Sequence, residues 1–161
     1  MGTRRWYRVF QGVEMAEVLE NYANSDVRFS TSEWEHFAES LATLRLLMRQ
    51  LAQSHGFTFI GSEKYPSIVI RQKRWLTTIQ ISIFLDPAWL SDRKGSAVYE
   101  LGIGKWKSCW PFFSGKGATY FKVATYSEDE LQNETRVSKD LEVAVDMALK
   151  QEHSSGTDHR Q

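Results

Sequence analysis

The hydrophobic period of the chain changes at Gly56, and that change restricts the fold more than any other feature. Before it, Trp34, Phe37, Leu41, Leu44, Met48 and Leu51 recur at intervals of three and four. Such spacing lays one apolar stripe along a helix. Ser32 stands three residues before Glu35, the spacing of a capping box, and Glu33 adds negative charge to the first turn. His55-Gly56 suits the other end, since glycine accepts the left-handed conformation that follows a helix. The pattern predicts one helix over 32–55.

After Gly56 the period is two. Phe57 to Ile60 reads as a strand, and Ser67 to Arg71 as a second. Trp75, Thr77, Ile79, Ile81, Ile83 and Leu85 alternate with Leu76, Thr78, Gln80, Ser82 and Phe84 in a long third, which Asp86-Pro87 stops because proline cannot donate into a ladder. Arg71-Gln72-Lys73-Arg74 falls between the second and third as a hairpin tip, and 91–95 reads as a turn. Ala97 to Ile103 and Ala118 to Tyr126 complete five strands. Helical spacing returns after Ser127–Glu130, a second capping box, with Ser138 as a further cap and Leu141, Ala144, Val145, Ala148 and Leu149 as the apolar face. Strands joined by short loops pair as antiparallel neighbours, and flanking helices cover one face. The expectation is an α+β two-layer sandwich, a five-stranded antiparallel meander between a long N-terminal helix and a C-terminal helix. Earlier in the chain, 6–10 suits a short strand and 13–22 a helix.

With 161 residues, the chain is long enough for one core without disulfides or metals. Residues 1–152 are expected to form that single domain, with the polar stretch 153–161 a disordered tail. Cys109 is the only cysteine, which excludes an internal disulfide framework and points to a reducing, cytoplasmic setting. The N-terminus lacks the apolar segment of a secretory signal, and no apolar run reaches membrane-spanning length.

Motifs for chemistry fail one by one. Gly102-Ile-Gly104 begins a dinucleotide fingerprint, but its third glycine is replaced by Lys107. A phosphate loop ending at Gly115-Lys116 would need glycine where Trp110 stands and Ser or Thr where Gly117 stands. The four histidines, His36, His55, His153 and His159, form no metal-binding pattern, and one cysteine cannot build a common structural zinc site. Cys109 has lysines nearby that would lower a thiol pKa, but no base is placed beside it. No catalytic residue, cofactor or metal is expected, and the reading leans away from an enzyme.

What stands out is GKWKSCWPFFSGKG, residues 104–117. Lys105, Lys107 and Lys116 sit among Trp106 and Trp110, and Arg71, Lys73, Arg74 and Trp75 form a similar group earlier. The whole chain balances 20 basic against 20 acidic residues, yet 57–125 holds 10 basic and 4 acidic, and 126–161 holds 4 basic and 9 acidic. Tryptophan and arginine are the usual anchors of protein interfaces. Cations interleaved with flat rings also suit single-stranded nucleic acid, though no RNA- or DNA-binding motif accompanies them. A third option folds the 111–113 aromatics over the sheet edge, leaving the lysines in water.

The order of a helix ending in HGFTFIG, a meander containing TTIQISIFLD and YELGIG, and a helix DLEVAVDMAL resembles small bacterial α+β domains that act as immunity or accessory proteins beside toxins and mobile elements. The resemblance runs over about 120 residues. It implies stoichiometric binding of a protein rather than turnover, and it assigns no residue a role. The expected function is therefore a protein-binding module that occludes an acidic partner surface. Arg71, Lys73, Arg74, Trp75, Lys105, Trp106, Lys107, Trp110 and Lys116 are its candidate contacts, and a nucleic-acid-binding accessory factor is the alternative.

Overall fold

The computed structural model describes residues 30–60, 66–74, 77–107 and 119–150. The expectations for 6–10, 13–22, most of 104–117 and 153–161 lie outside them.

Helix α1 spans Thr31–Ser40 and α2 spans Ala42–His55. Together they correct the single helix predicted over 32–55. The break is at Leu41, whose φ of −94° and ψ of 1° leave the helical region. Its N–H turns back to the Ala38 carbonyl at 3.3 Å, and the Arg45 guanidinium donates to the same oxygen at 2.8 Å. Arg45 is buried, so its charge-assisted bond fixes the joint from inside. The N-cap is Ser30 rather than Ser32. Ser30 Oγ accepts from the Glu33 N–H at 3.2 Å, and the Glu33 carboxylate accepts from the Ser30 N–H at 2.8 Å. The second of these bonds is the main reason the Glu33 carboxyl is held below its ordinary pKa. At the far end Gly56 has φ of 72°, the left-handed value anticipated there.

Five strands follow: β1 Thr58–Ile60, β2 Ser67–Lys73, β3 Thr77–Leu85, β4 Val98–Lys107 and β5 Thr119–Ser127. They lie in sequence order, each antiparallel to the next. The α+β class and meander are as expected. Several boundaries move, and β4 runs on to Lys107 past the expected end at Ile103. Strand β2 runs past the expected end at Arg71 to take in Gln72 and Lys73 of the expected hairpin tip, and Arg74 closes the turn by donating its N–H to the Thr77 carbonyl at 2.8 Å. Asp86-Pro87 does more than end β3, because it starts α3, Pro87–Asp92. The Asp86 carboxylate accepts from the Ala88 N–H at 2.7 Å, and proline fills a first-turn position whose N–H would have no partner. Helices α4, Glu128–Leu131, and α5, Glu134–Lys150, close the described chain. Ser127 and Glu130 cap α4 as predicted. Ser138 lies inside α5, and Asn133 caps that helix instead, accepting from the Arg136 N–H at 3.1 Å.

Period-two alternation gives the sheet two faces. Ile68 and Ile70 of β2, Ile79, Ile81 and Ile83 of β3, and Tyr99, Leu101 and Ile103 of β4 share one of them by register and are buried. Each buried isoleucine contributes roughly 1.5–3 kcal/mol of apolar transfer. Helices α1, α2 and α5 lie on this face. Tyr99 donates to the Phe37 carbonyl in α1, Tyr126 to Asp140 in α5, and Gln72 to the His55 and Gly56 carbonyls that end α2. The second face carries Val69, Arg71, Gln80, Ser82, Phe84, Glu100, Gly102, Trp106, Tyr120 and Lys122.

Candidate functional site

The register of β2, β3 and β4 joins the two basic-aromatic groups of the sequence. Lys73 pairs with Thr78, and Thr78 pairs with Trp106; Thr77 pairs with Lys107. The hairpin closed by Arg74 and the end of β4 therefore form one end of the sheet. Arg71 reaches across β3 on the second face. Its Nη2 donates to Gln80 Oε1 at 2.9 Å, and its guanidinium carbon stands 5.5 Å from the Trp106 ring centre. That places a cation against one side of the indole.

Alternation also divides what the sequence lists side by side. Lys105 pairs with Ile79 on the helix-covered face, while the next residue, Trp106, is on the other. Arg74 follows Lys105: its Nε donates to Gln72 Oε1 at 2.9 Å on the helix side. The candidate surface is thus a rim around the sheet end, with Arg71, Lys73 and Trp106 above and Arg74 and Lys105 below, where the Lys107 backbone pairs with Thr77. Trp75, Trp110, Lys116 and Cys109 lie outside the described residues.

Among the described residues, neither Lys73 nor Lys105 forms an ion pair. Partial burial, and then the neighbouring Arg74 charge, hold the Lys105 ammonium below its ordinary pKa.

The other end of the second face holds a polar network that sequence reading missed. Glu100 and Asp86 are 5% and 6% exposed, and Lys122 bridges them at 3.3 and 3.4 Å. Tyr120 donates to Glu100. To reach it, the phenol crosses Gly102 at a place where any Cβ would collide with the ring. Burial, reinforced by the Glu100 carboxylate, raises the Tyr120 pKa far above its ordinary value. Burial lowers the Lys122 pKa, but Glu100 and Asp86 outweigh it and the net shift is upward. The signal in the sequence was Gly102-x-Gly104: two glycines on one face of a strand leave room for a neighbour to lean over. Six residues separate Glu100 from Trp106, about 20 Å along a strand, so this network is distinct from the rim.

Elsewhere, the His36 ring and Glu128 meet at 2.9 Å between α1 and α4. Among the described residues no group of three or more His, Cys, Asp or Glu side chains is placed to hold a metal ion. No described helix is long and apolar enough to cross a membrane. Comparisons of the chain with protein-family models, with curated proteins and with solved structures gave no match.

Proposed function

We propose that this protein is a non-enzymatic binding module for another protein, which it engages through the basic rim at the end of its sheet. It would act as inhibitor, immunity or accessory proteins do, by stoichiometric occlusion of an acidic partner surface. The observation that carries the reading is that Lys73, Arg74, Lys105 and Trp106 meet at one sheet end, with no ion pair to either lysine among the described residues. A fold that keeps mutually repelling cations together loses stability by doing so, and an anionic partner removes that cost. Trp106 would supply apolar area and the cations orientation. Protein is favoured over nucleic acid because Arg71 already stands against the Trp106 ring, which restricts base stacking on that side.

A photo-crosslinking amino acid at Lys73, with Leu46 on exposed α2 as the control position, tests this in source cells. The expected result is a protein adduct of defined mass from position 73 and none from position 46. Nucleic-acid adducts from position 73, or equal yields at both positions, would replace this reading.

A further inference from the structure

We infer that the partner is held as an extended acidic segment that adds to the open edge of β5 as a sixth strand. This deepens the binding reading and rests on it. Among the described residues, strand β5 ends the sheet and pairs only with β4. At the opposite edge β1 is three residues long, whereas β5 has nine. Thr119, Phe121 and Lys122 are exposed, so the outer edge at the start of β5 is accessible, and Phe121 is 50% exposed. The sequence Thr-Tyr-Phe-Lys-Val has no proline and suits a strand. Edges of this kind are usually blunted by a charged side chain. Lys122 is the charged residue here, but Glu100 and Asp86 hold its ammonium against the second face of the sheet. It therefore contributes little repulsion at the edge.

Position and charge give the occupant its chemistry. Thr119 pairs with Lys105, so the open edge begins at the basic rim and runs away from it. A sixth strand entering there would pass Lys105 first and Phe121 two residues later. Backbone hydrogen bonds would supply affinity, and side chains of alternate residues specificity. The segment so recognised carries Asp or Glu at the rim end and an apolar residue opposite Phe121. The register shift between Leu101 and Gly102 ends the straight part of the edge near Val123, which limits the added strand to about five residues.

The test begins by selecting a displayed library of random short peptides on the full-length protein. The most enriched peptide is synthesised unmodified and in two N-methylated forms, with methyls on odd or on even residues. Hydrogen exchange is followed with and without it, and binding is measured to wild type, Lys105→Glu and Phe121→Glu, each checked for folding by circular dichroism. The expected peptide is acidic and slows exchange in 119–123. Only one N-methyl series loses binding, by at least about tenfold, because only one set of amides faces the edge. Both charge variants weaken it. If both N-methyl series bind alike, or protection falls elsewhere, strand addition is wrong while Lys105→Glu still reports on the rim. If the selected peptides are not acidic and Lys105→Glu binds normally, the rim reading fails and this inference with it. Concentration-dependent protection of 119–123 without peptide would assign the edge to a second copy of the chain and overturn the inference.

Discussion

The Arg71 guanidinium stands 5.5 Å from the centre of the Trp106 ring, although the two residues come from strands separated by β3. Gln80 on the intervening strand steadies the arginine from below. This contact ties the two basic-aromatic groups into one surface, so its energy should be measurable. A double-mutant cycle of Arg71→Ala and Trp106→Ala, read by urea unfolding, is expected to give a coupling of about 0.5–1 kcal/mol. Arg71→Lys should retain only part of it, since an ammonium lacks the planar fork that serves Gln80 and the ring together. Strictly additive single mutants would mean that the stacking contributes nothing.

Lys105 should behave oppositely for folding and for binding. Its folded pKa is depressed because burial and Arg74 disfavour its charge. The charged form therefore costs stability at neutral pH; that cost begins to fall as the pH reaches the lowered folded pKa and is gone above the ordinary value of 10.5. Lys105→Met is expected to raise the unfolding free energy by up to about 1 kcal/mol, while weakening partner binding. A variant that loses stability instead would show that the ammonium has a favourable partner within the fold.

Gly102→Ala should be costly for so small a change. The added methyl would meet the Tyr120 ring and push the phenol off Glu100. The expected loss is about 1–3 kcal/mol. In the Tyr120→Ala background the same substitution should cost far less, because the obstacle is gone. Equal costs in both backgrounds would place the strain in the backbone.

Stability should fall steeply in alkali. Tyr99, Tyr120 and Tyr126 all have pKa values raised above the ordinary 10.0, burial being the largest cause in each, and Asp140 adds to it for Tyr126. The unfolded chain releases these protons near pH 10 and the folded chain keeps them, so rising pH favours unfolding. Lys122 acts in the same direction. Its pKa is raised, so its contribution is complete below its ordinary 10.5 and disappears as the pH rises through the folded value. The urea midpoint should be nearly flat from neutral pH to about 9 and then drop, with part of the phenolate absorbance appearing only on unfolding. If all six tyrosines titrate together near pH 10 with the fold intact, the burial account is wrong.

Much of the fold was legible because periodicity reports directly on which face is buried. The stripe from Phe37 to Leu51 and the alternation through Ile79, Ile81 and Ile83 both point to one core. What escaped were devices of one or two residues. The break at Leu41 depends on a buried Arg45 reaching the Ala38 carbonyl, a tertiary bond that no local pattern encodes. Helix α3 was announced by Asp86-Pro87, a cap followed by a first-turn proline, but the pair also reads as a strand stop. The site was legible as two basic-aromatic groups and not as a rim. Joining Arg71 to Trp106 needs the strand register, and assigning Lys105 and Trp106 to opposite faces needs the knowledge that β4 continues past Ile103. Gly102-x-Gly104 hinted at a neighbour leaning over β4, but which side chains meet there, Glu100, Tyr120, Lys122 and Asp86, needs the pairing of β4 with β5 and with β3.

The most direct test of the account is an amide NMR titration of the protein with a poly-glutamate peptide, and separately with a single-stranded oligothymidine, in wild type and in Arg74→Glu/Lys105→Glu. The account predicts that poly-glutamate shifts Arg71, Lys73, Arg74, Lys105, Trp106 and Lys107, that the double variant abolishes these shifts, and that oligothymidine binds more weakly at equal ionic strength. Poly-glutamate shifts scattered over the surface, or shifts at the rim that survive the charge reversal, would contradict it.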